Sequence, residues 1–325
     1  MQAAWYERNG PAEEVLIVGE MPLPDPGPGE VRVRLAWSGV NPSDVKSRAR
    51  RPLTAPRIVP HSDGSGVIDA VGSGVDAGRI GQRVWTWNAQ WQRPLGTAAG
   101  FITLPSAQAV VLPDGVSLET GACLGIPGLT AVQAVRLAGP LSGQTVLVTG
   151  AGNAVGHLVV QLAARQGARV IGTAGSAARR DLALQSGADV VLDHRQPDLV
   201  EQMLGLTSGR GVDRIIDMDF SSTSAWLPHG ILRPHGQVVC YGSNVPGELT
   251  VDFRTLLFRS VGLLFFVVYE LTPEDRAACI AELQSLLQSD ALRFSPGRRF
   301  PLAQVAEAHR CVEQGQSVGT VLLGI

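Results

Sequence analysis

Residues Val146–Val160 read VLVTGAGNAVGHLVV, and the fold turns on how this stretch is read. An apolar run meets a glycine-rich turn, and Val155, Leu158, Val159, Leu162 and Ala163 then recur at the spacing of one helical face. The order is strand, tight turn, helix. A turn of this kind presents backbone N–H groups at the positive end of a helix dipole, where a pyrophosphate fits if no side chain blocks it. Gly150, Gly152 and Gly156 supply small residues, and Gly156 lets the helix pack close to the strand. Asn153 stands where a dinucleotide-binding turn usually carries glycine. Asparagine tolerates the left-handed conformation, so the turn is expected to survive, and its amide can donate to a phosphate. Gly152, Asn153, Ala154, Val155 and Gly156 are therefore candidate cofactor contacts.

Outward from this turn, strands and helices alternate. ARVIGTAG, DVVLDH, VDRIIDM and GQVVCYG read as strands, with RRDLALQSGA as a short helix ending at Gly187. Such alternation predicts a parallel sheet with right-handed crossovers. Thr272-Pro273-Glu274-Asp275 opens a further helix, with Ile280, Leu283, Leu286 and Leu287 on its apolar face. The first third differs: EVRVRLAWSGV alternates from Glu30 to Val40, and short apolar runs bounded by Gly and Pro follow, as in a compact β-rich domain.

The chain has 325 residues, long enough for two cores, and a net charge of -2, which gives no basic surplus for nucleic acid. The longest apolar run, VGLLFFVV at Val261–Val268, is far short of the roughly 20 residues that span a bilayer. The start, MQAAWYERNG, lacks the pattern of a secretory leader, so a cytoplasmic protein without membrane contact is expected. Cys123, Cys240, Cys279 and Cys311 show no metal-ligand spacing and read as reduced, partly buried thiols.

An NAD site usually carries an acid at the end of the second strand, on the adenosine ribose. Here that region, VIGTAGSAARR, offers Thr173, Gly175, Ser176, Arg179 and Arg180 instead. Hydroxyls and a guanidinium accept a 2′-phosphate that a carboxylate would repel, so NADPH is expected over NADH, with Arg180 left on the solvated helix face.

GVNPSD (Gly39–Asp44), GVIDAVGSGV, GQRVW, GIPGLTA (Gly125–Ala131), VTGAGNAVG, GTAGS and AEAH resemble the medium-chain dehydrogenase/reductase superfamily, in order and over essentially the whole chain. Within it the chain is most similar to the zinc-free quinone oxidoreductases related to zeta-crystallin. The resemblance implies an α/β architecture: a GroES-like β-rich catalytic domain at residues 1–123 and 291–325, and a doubly wound parallel-sheet Rossmann domain at 124–290 that binds NADPH. It places Asn41 and Thr130 near the nicotinamide ribose, Arg179 at the 2′-phosphate and His194 beside the adenosine. Gly242 and Ser243 would meet the middle of the cofactor, and Phe266 and Val267 its nicotinamide end. Zinc dehydrogenases of the superfamily have a cysteine at Asn41 and a His-Glu pair at Ser62-Asp63, so no metal is expected. The chain departs from the family at Asn153-Ala154, Lys46, Arg50 and Ala99-Gly100-Phe101. Several of these lie around the expected mouth of the cleft, so the substrate is not carried over with the fold.

Without a Lewis acid, the acceptor that needs least polarisation is a quinone or an activated C=C bond. The reading is thus an NADPH-dependent quinone oxidoreductase, with an enone or alkenal reductase and a non-catalytic NADPH-binding module as alternatives. Asn41 would act as an amide donor with Asp44 as its organiser, and Thr130 completes the catalytic set. Asp44 equally reads as a cap on the turn after Pro42. Alternation puts Trp85 and Trp87 on one face, and with Trp91 they form either core and surface loop or an aromatic wall for a planar substrate. SVGLLFFVVYEL is too apolar for a free edge strand. It is buried in a sheet or pairs with a second copy, and the resemblance favours a homodimer.

Overall fold

The computed structural model describes residues 1–245 and 247–325. The chain divides into two compact units, one formed by Met1–Pro127 with Gln284–Ile325 and the other by Gly128–Leu283.

The second unit holds six parallel strands. Across the sheet they run Val190–Leu192, Arg169–Thr173, Thr145–Val148, Val212–Asp217, Leu232–Cys240 and Gly262–Phe265. Numbered along the chain this is the order 3-2-1-4-5-6 of a doubly wound nucleotide fold. Both faces are covered. Leu147, Ile171, Ile215 and Val238 pack with Leu199, Met203, Phe220 and Leu227 on one side. Their neighbours Val146, Val148, Val170, Ile216 and Val239 alternate to the other side and are equally buried. The helix Gly156–Arg165 follows the first strand, and it buries Leu158, Val159, Leu162 and Ala163 as its periodicity requires.

In the helix Pro273–Gln288, Thr272 accepts the Asp275 N–H as the expected cap. Its buried line is Arg276, Cys279, Leu283 and Leu287; the expected Ile280 and Leu286 are only half-buried flanks. The strand Gly262–Phe265 is a sheet edge, with Leu264 and Phe265 exposed.

The first unit is a seven-stranded sheet built around Glu30–Val40. That strand pairs antiparallel with Asp63–Val71, with Phe101–Pro105 and with the last strand, Thr320–Gly324. Two apolar clusters fill it. One gathers Val31, Val33, Ile68, Val84, Ile102 and Leu104, and the other Val40, Val59, Leu302, Val305, Val321 and Leu323. The strand Arg83–Thr86 stops one residue short of Trp87, whose N–H turns to the Gln108 carbonyl. Trp85 is fully buried and Trp87 half-buried, so the sequence GQRVWTWN places one tryptophan in the core and one beyond it.

All four cysteines are buried and free. No helix among the described residues is long and apolar enough to cross a membrane.

Candidate active site

In a 3-2-1-4-5-6 sheet, ligands bind beyond the carboxyl ends of the first and fourth strands, where the winding reverses. The turn after Thr145–Val148 lies there, and the strand Val212–Asp217 pairs alongside. The residue that bends the chain is Gly150, with φ 63°. A side chain there would also strike Met218 Sδ and the Asn153 amide. The Gly150 N–H donates to Thr173 Oγ1 at 3.1 Å and the Ala151 N–H to the Thr173 carbonyl at 2.8 Å. Thr173 is buried and shapes the turn from the neighbouring strand.

Asn153 does something other than the left-handed substitution expected of it. Its φ is not positive. Its Oδ1 accepts the N–H groups of Val155 at 2.9 Å and Gly156 at 2.6 Å, so the side chain caps its own helix. Its amide nitrogen donates to Met218 Sδ at 2.8 Å, where a phosphate contact was expected. The reason is geometric: Gly150 already supplies the bend, which leaves Asn153 free to serve the helix terminus.

A cradle remains. Among the described residues, the N–H groups of Gly152 and Ala154 have no protein acceptor. Gly152 is required, because a Cβ would lie 2.0 Å from the Arg179 carbonyl oxygen, and Gly156 likewise faces the Gly150 carbonyl at 2.2 Å. These open donors beside a buried glycine fit a pyrophosphate.

The second and third strands add the adjoining surface. Ser176 caps the helix Ala177–Gln185 by accepting the Arg179 N–H. Gly175 makes room for the His194 imidazole, whose Cε1 lies 2.6 Å from where a Cβ would stand. Asp193 pairs with both Arg180, at 3.2 Å, and Arg195, at 2.8 Å. The Arg195 contact holds the Asp193 carboxyl well below the usual range. Arg180 is therefore engaged in an ion pair, not simply solvated as expected. One acid faces two arginines, with half-buried Arg179 on the same helix as Arg180, so the local charge is positive.

Toward the other end, Gly242, Ser243, Phe266 and Val267 all line one cavity of about 800 Å³. Gly242 passes close to the Met218 carbonyl, where a side chain would clash at 2.6 Å, and the Phe266 N–H donates to Cys240. Two acids that the sequence analysis did not single out tie this region down. Asp217 Oδ1 accepts from the hydroxyls of Thr149 at 2.7 Å and Thr223 at 2.9 Å, and from the Asp219 N–H at 3.0 Å. Burial pushes its carboxyl up. Asp219 in turn receives the Asn244 N–H and side-chain amide, both at 2.8 Å, which pins the loop after the fifth strand. Thr130 lies buried in the first turn of the helix Leu129–Ala138.

In the first unit, the helix Pro42–Arg50 starts with a capping box. Asp44 Oδ2 accepts the Asn41 N–H at 2.7 Å. The Asn41 carboxamide, however, donates to Asp63 Oδ2 at 2.8 Å. Asp44 organises the backbone of this turn, and Asp63, which the sequence analysis treated only as an unsuitable metal ligand, organises the side chain. Asp63 also accepts the Ile126 N–H at 2.8 and 3.0 Å, and Gly125 must be glycine because a Cβ would sit 2.1 Å from Asp63 Oδ1. Both carboxyls are buried. Desolvation pushes Asp44 up to about 7, and Asp63, facing Asp44 as well, is raised well above the usual range. His61, one residue from Ser62, points elsewhere: its Nδ1 meets Ser38 Oγ at 2.9 Å and its Nε2 meets His309 Nε2 at 2.8 Å. Among the described residues no group of three or more His, Cys, Asp or Glu could hold a metal ion.

Residues 27–114 match the alcohol dehydrogenase GroES-like domain model, and residues 154–285 match the zinc-binding dehydrogenase model. A quinone oxidoreductase of Pongo abelii is 30% identical over 328 residues, covering 98% of this chain and 95% of the other. The chain belongs to the quinone oxidoreductase branch of the medium-chain dehydrogenase/reductase superfamily. A mycobacterial structure complexed with NADPH is 30% identical and covers all of both chains with a TM-score of 0.90. A 2-haloacrylate reductase of a Burkholderia species is 27% identical, covering 99% of this chain and 98% of the other. The Asn41 turn lies in the first unit, within the stretch matched by the GroES-like model, and the cradle lies in the second. At the two positions where the superfamily resemblance places zinc ligands, Asn41 offers an amide and both oxygens of Asp63 are engaged by backbone and side-chain N–H groups.

Proposed function

We propose that this protein is an NADPH-dependent quinone oxidoreductase that works without zinc. The observation that carries the reading is the cradle at the winding reversal, with the open N–H groups of Gly152 and Ala154 beside Arg179. The full-length likeness to quinone oxidoreductases and to a structure complexed with NADPH supports it. When bound, the cofactor supplies the hydride.

The remaining work falls to this chain's residues. The open N–H groups of Gly152 and Ala154, at the positive end of the helix that starts at Gly156, hold the pyrophosphate. Arg179, Ser176 and the positive cluster around Asp193 receive the 2′-phosphate, with Gly175 and His194 at the adenosine. Gly242, Ser243, Phe266 and Val267 flank the rest of the dinucleotide. Thr130 and Asn41 are assigned to the nicotinamide ribose, and Asp63 keeps the Asn41 amide turned so that one N–H is fixed and the other is available to an acceptor oxygen. Residues 124–290 serve as the NADPH-binding domain and the rest as the catalytic domain. Four buried, free cysteines suit the reducing cytoplasm. The exposed edge Gly262–Phe265 suits pairing of two copies.

The likeness to a 2-haloacrylate reductase favours, as a second reading, reduction of an activated double bond. Anaerobic NADPH consumption with 1,2- and 1,4-quinones, an enone and an aldehyde side by side separates the two. Turnover with quinones is expected. An enone winning moves the protein to the double-bond reductases, and no consumption with any acceptor refutes both.

A further inference from the structure

The first unit contains a cavity of about 260 Å³ that none of the roles above uses. Its wall combines the apolar side chains Leu53, Ile58 and Trp91 with Tyr6, Ser47 and Arg51. The volume sits just below the roughly 300–1,000 Å³ typical of small-molecule sites. It suits one or two fused rings.

Charge decides what those rings carry. Among the described residues Arg51 is the only cation lining the cavity, and no acid lines it. Its guanidinium lies over the Trp91 ring, 4.5 Å from the centroid, which restrains the fork without neutralising it. No carboxylate lies within ion-pair distance of Arg51 among the described residues. The acid that it influences is Asp44, which is buried and itself pushed up to about 7 by desolvation. Burial also pushes the Tyr6 hydroxyl up to about 12, so it stays an O–H donor at neutral pH. The helix Pro42–Arg50, which brings Ser47 to the wall and Arg51 at its end, carries exposed Lys46 and Arg50 as well. An exposed guanidinium stacked on Trp91, a hydroxyl donor and an apolar wall are the parts needed to hold an aromatic carboxylate or sulfonate.

We infer that this cavity binds a planar aromatic carboxylate or sulfonate, with Arg51 as the residue that selects the anion. This rests on the quinone reading for its meaning in catalysis, but the binding itself does not.

The test uses a pair of probes that cannot be reduced, naphthalene-2-sulfonate and its neutral analogue naphthalene-2-sulfonamide, titrated calorimetrically into the full chain without cofactor. The sulfonate is expected to bind at least ten-fold more tightly than the sulfonamide, and less tightly as salt rises. Arg51→Gln is expected to bring the two to within about two-fold, and Leu53→Trp, which fills the wall, to weaken both. Equal affinity in the native protein, an undiminished preference in Arg51→Gln, or no heat from the sulfonate at millimolar concentration each overturns the proposal. Turnover is then compared for 1,4-naphthoquinone and its 2-sulfonate. If the probes behave as expected and neither quinone is reduced, the anion site stands and the quinone reading falls.

Discussion

Asn153 shows how a single side chain can stabilise a structure and compete with a ligand for the same donors. It satisfies two N–H groups at the start of the helix Gly156–Arg165, groups that would otherwise face the cradle. Asn153→Gly is expected to release them. Equilibrium titration should show NADPH binding about ten-fold more tightly, because hydrogen bonds to a charged group contribute about 1.5–3 kcal/mol. The same variant should lose about 1 kcal/mol of stability with its cap. Asp44 yields a second expectation, in pH. Its carboxyl titrates near 7 in the folded chain and near 4 when unfolded. The folded state therefore holds the proton more strongly across that window, and the contribution of Asp44 to stability falls as pH rises from about 4 to about 7. The melting temperature of Asp44→Asn, relative to the native protein, should climb over that range. Opposing slopes from the buried pair His61 and His309, both held neutral, are common to both proteins and cancel in the difference. Asp44 was legible as a cap because its partner is three residues away. Asp63 was not: its two contacts reach across 22 and 63 residues, and nothing in HSDGSG marks them.

At the scale of elements, strand, turn and helix were all readable in VLVTGAGNAVGHLVV because each signal is local. Apolar residues that face both sides of the sheet, glycines at the bend and a 3.6-residue period do not depend on distant parts of the chain. The third glycine carries a strict requirement. A methyl group at Gly156 would lie 2.2 Å from the Gly150 carbonyl oxygen and 2.9 Å from the Ala151 Cα, both backbone atoms that cannot rotate away. Gly156→Ala should cost about 3 kcal/mol, a fall of roughly 10 °C in melting temperature, with NADPH affinity reduced because the turn must shift. Trp91 was ambiguous for the opposite reason. The strand that precedes it ends at Thr86, and Asn88 and Gln92 on either side of it adopt left-handed backbone, with φ 49° and 57°. Alternation has no bearing on a loop of that kind, so the placement of Trp91 on a cavity wall had no periodic signal to reveal it.

For the whole molecule, among the described residues the strand Gly262–Phe265 is an edge of the second unit's sheet with Leu264 and Phe265 exposed, and the preceding helix exposes Phe253, Leu257 and Phe258. Light scattering at micromolar concentration should give a mass twice the 34.3 kDa of one chain. Phe265→Lys, which sets a charge on the edge, should shift it toward a single chain. The Rossmann unit is continuous in sequence, from Gly128 to Leu283, whereas the first unit is not. Its strand Thr320–Gly324 lies against Glu30–Val40, and His309 meets His61 across 248 residues. During synthesis this order has a consequence. The first 127 residues leave the ribosome with Trp37–Val40 of their central strand unpaired on one side and half of an apolar cluster missing. The segment that completes them emerges about 200 residues later, some 10–40 s at 5–20 residues per second. The nucleotide-binding half can finish folding in that interval. The amino-terminal half must wait for the carboxyl terminus, and it is the part of the nascent chain most in need of a chaperone.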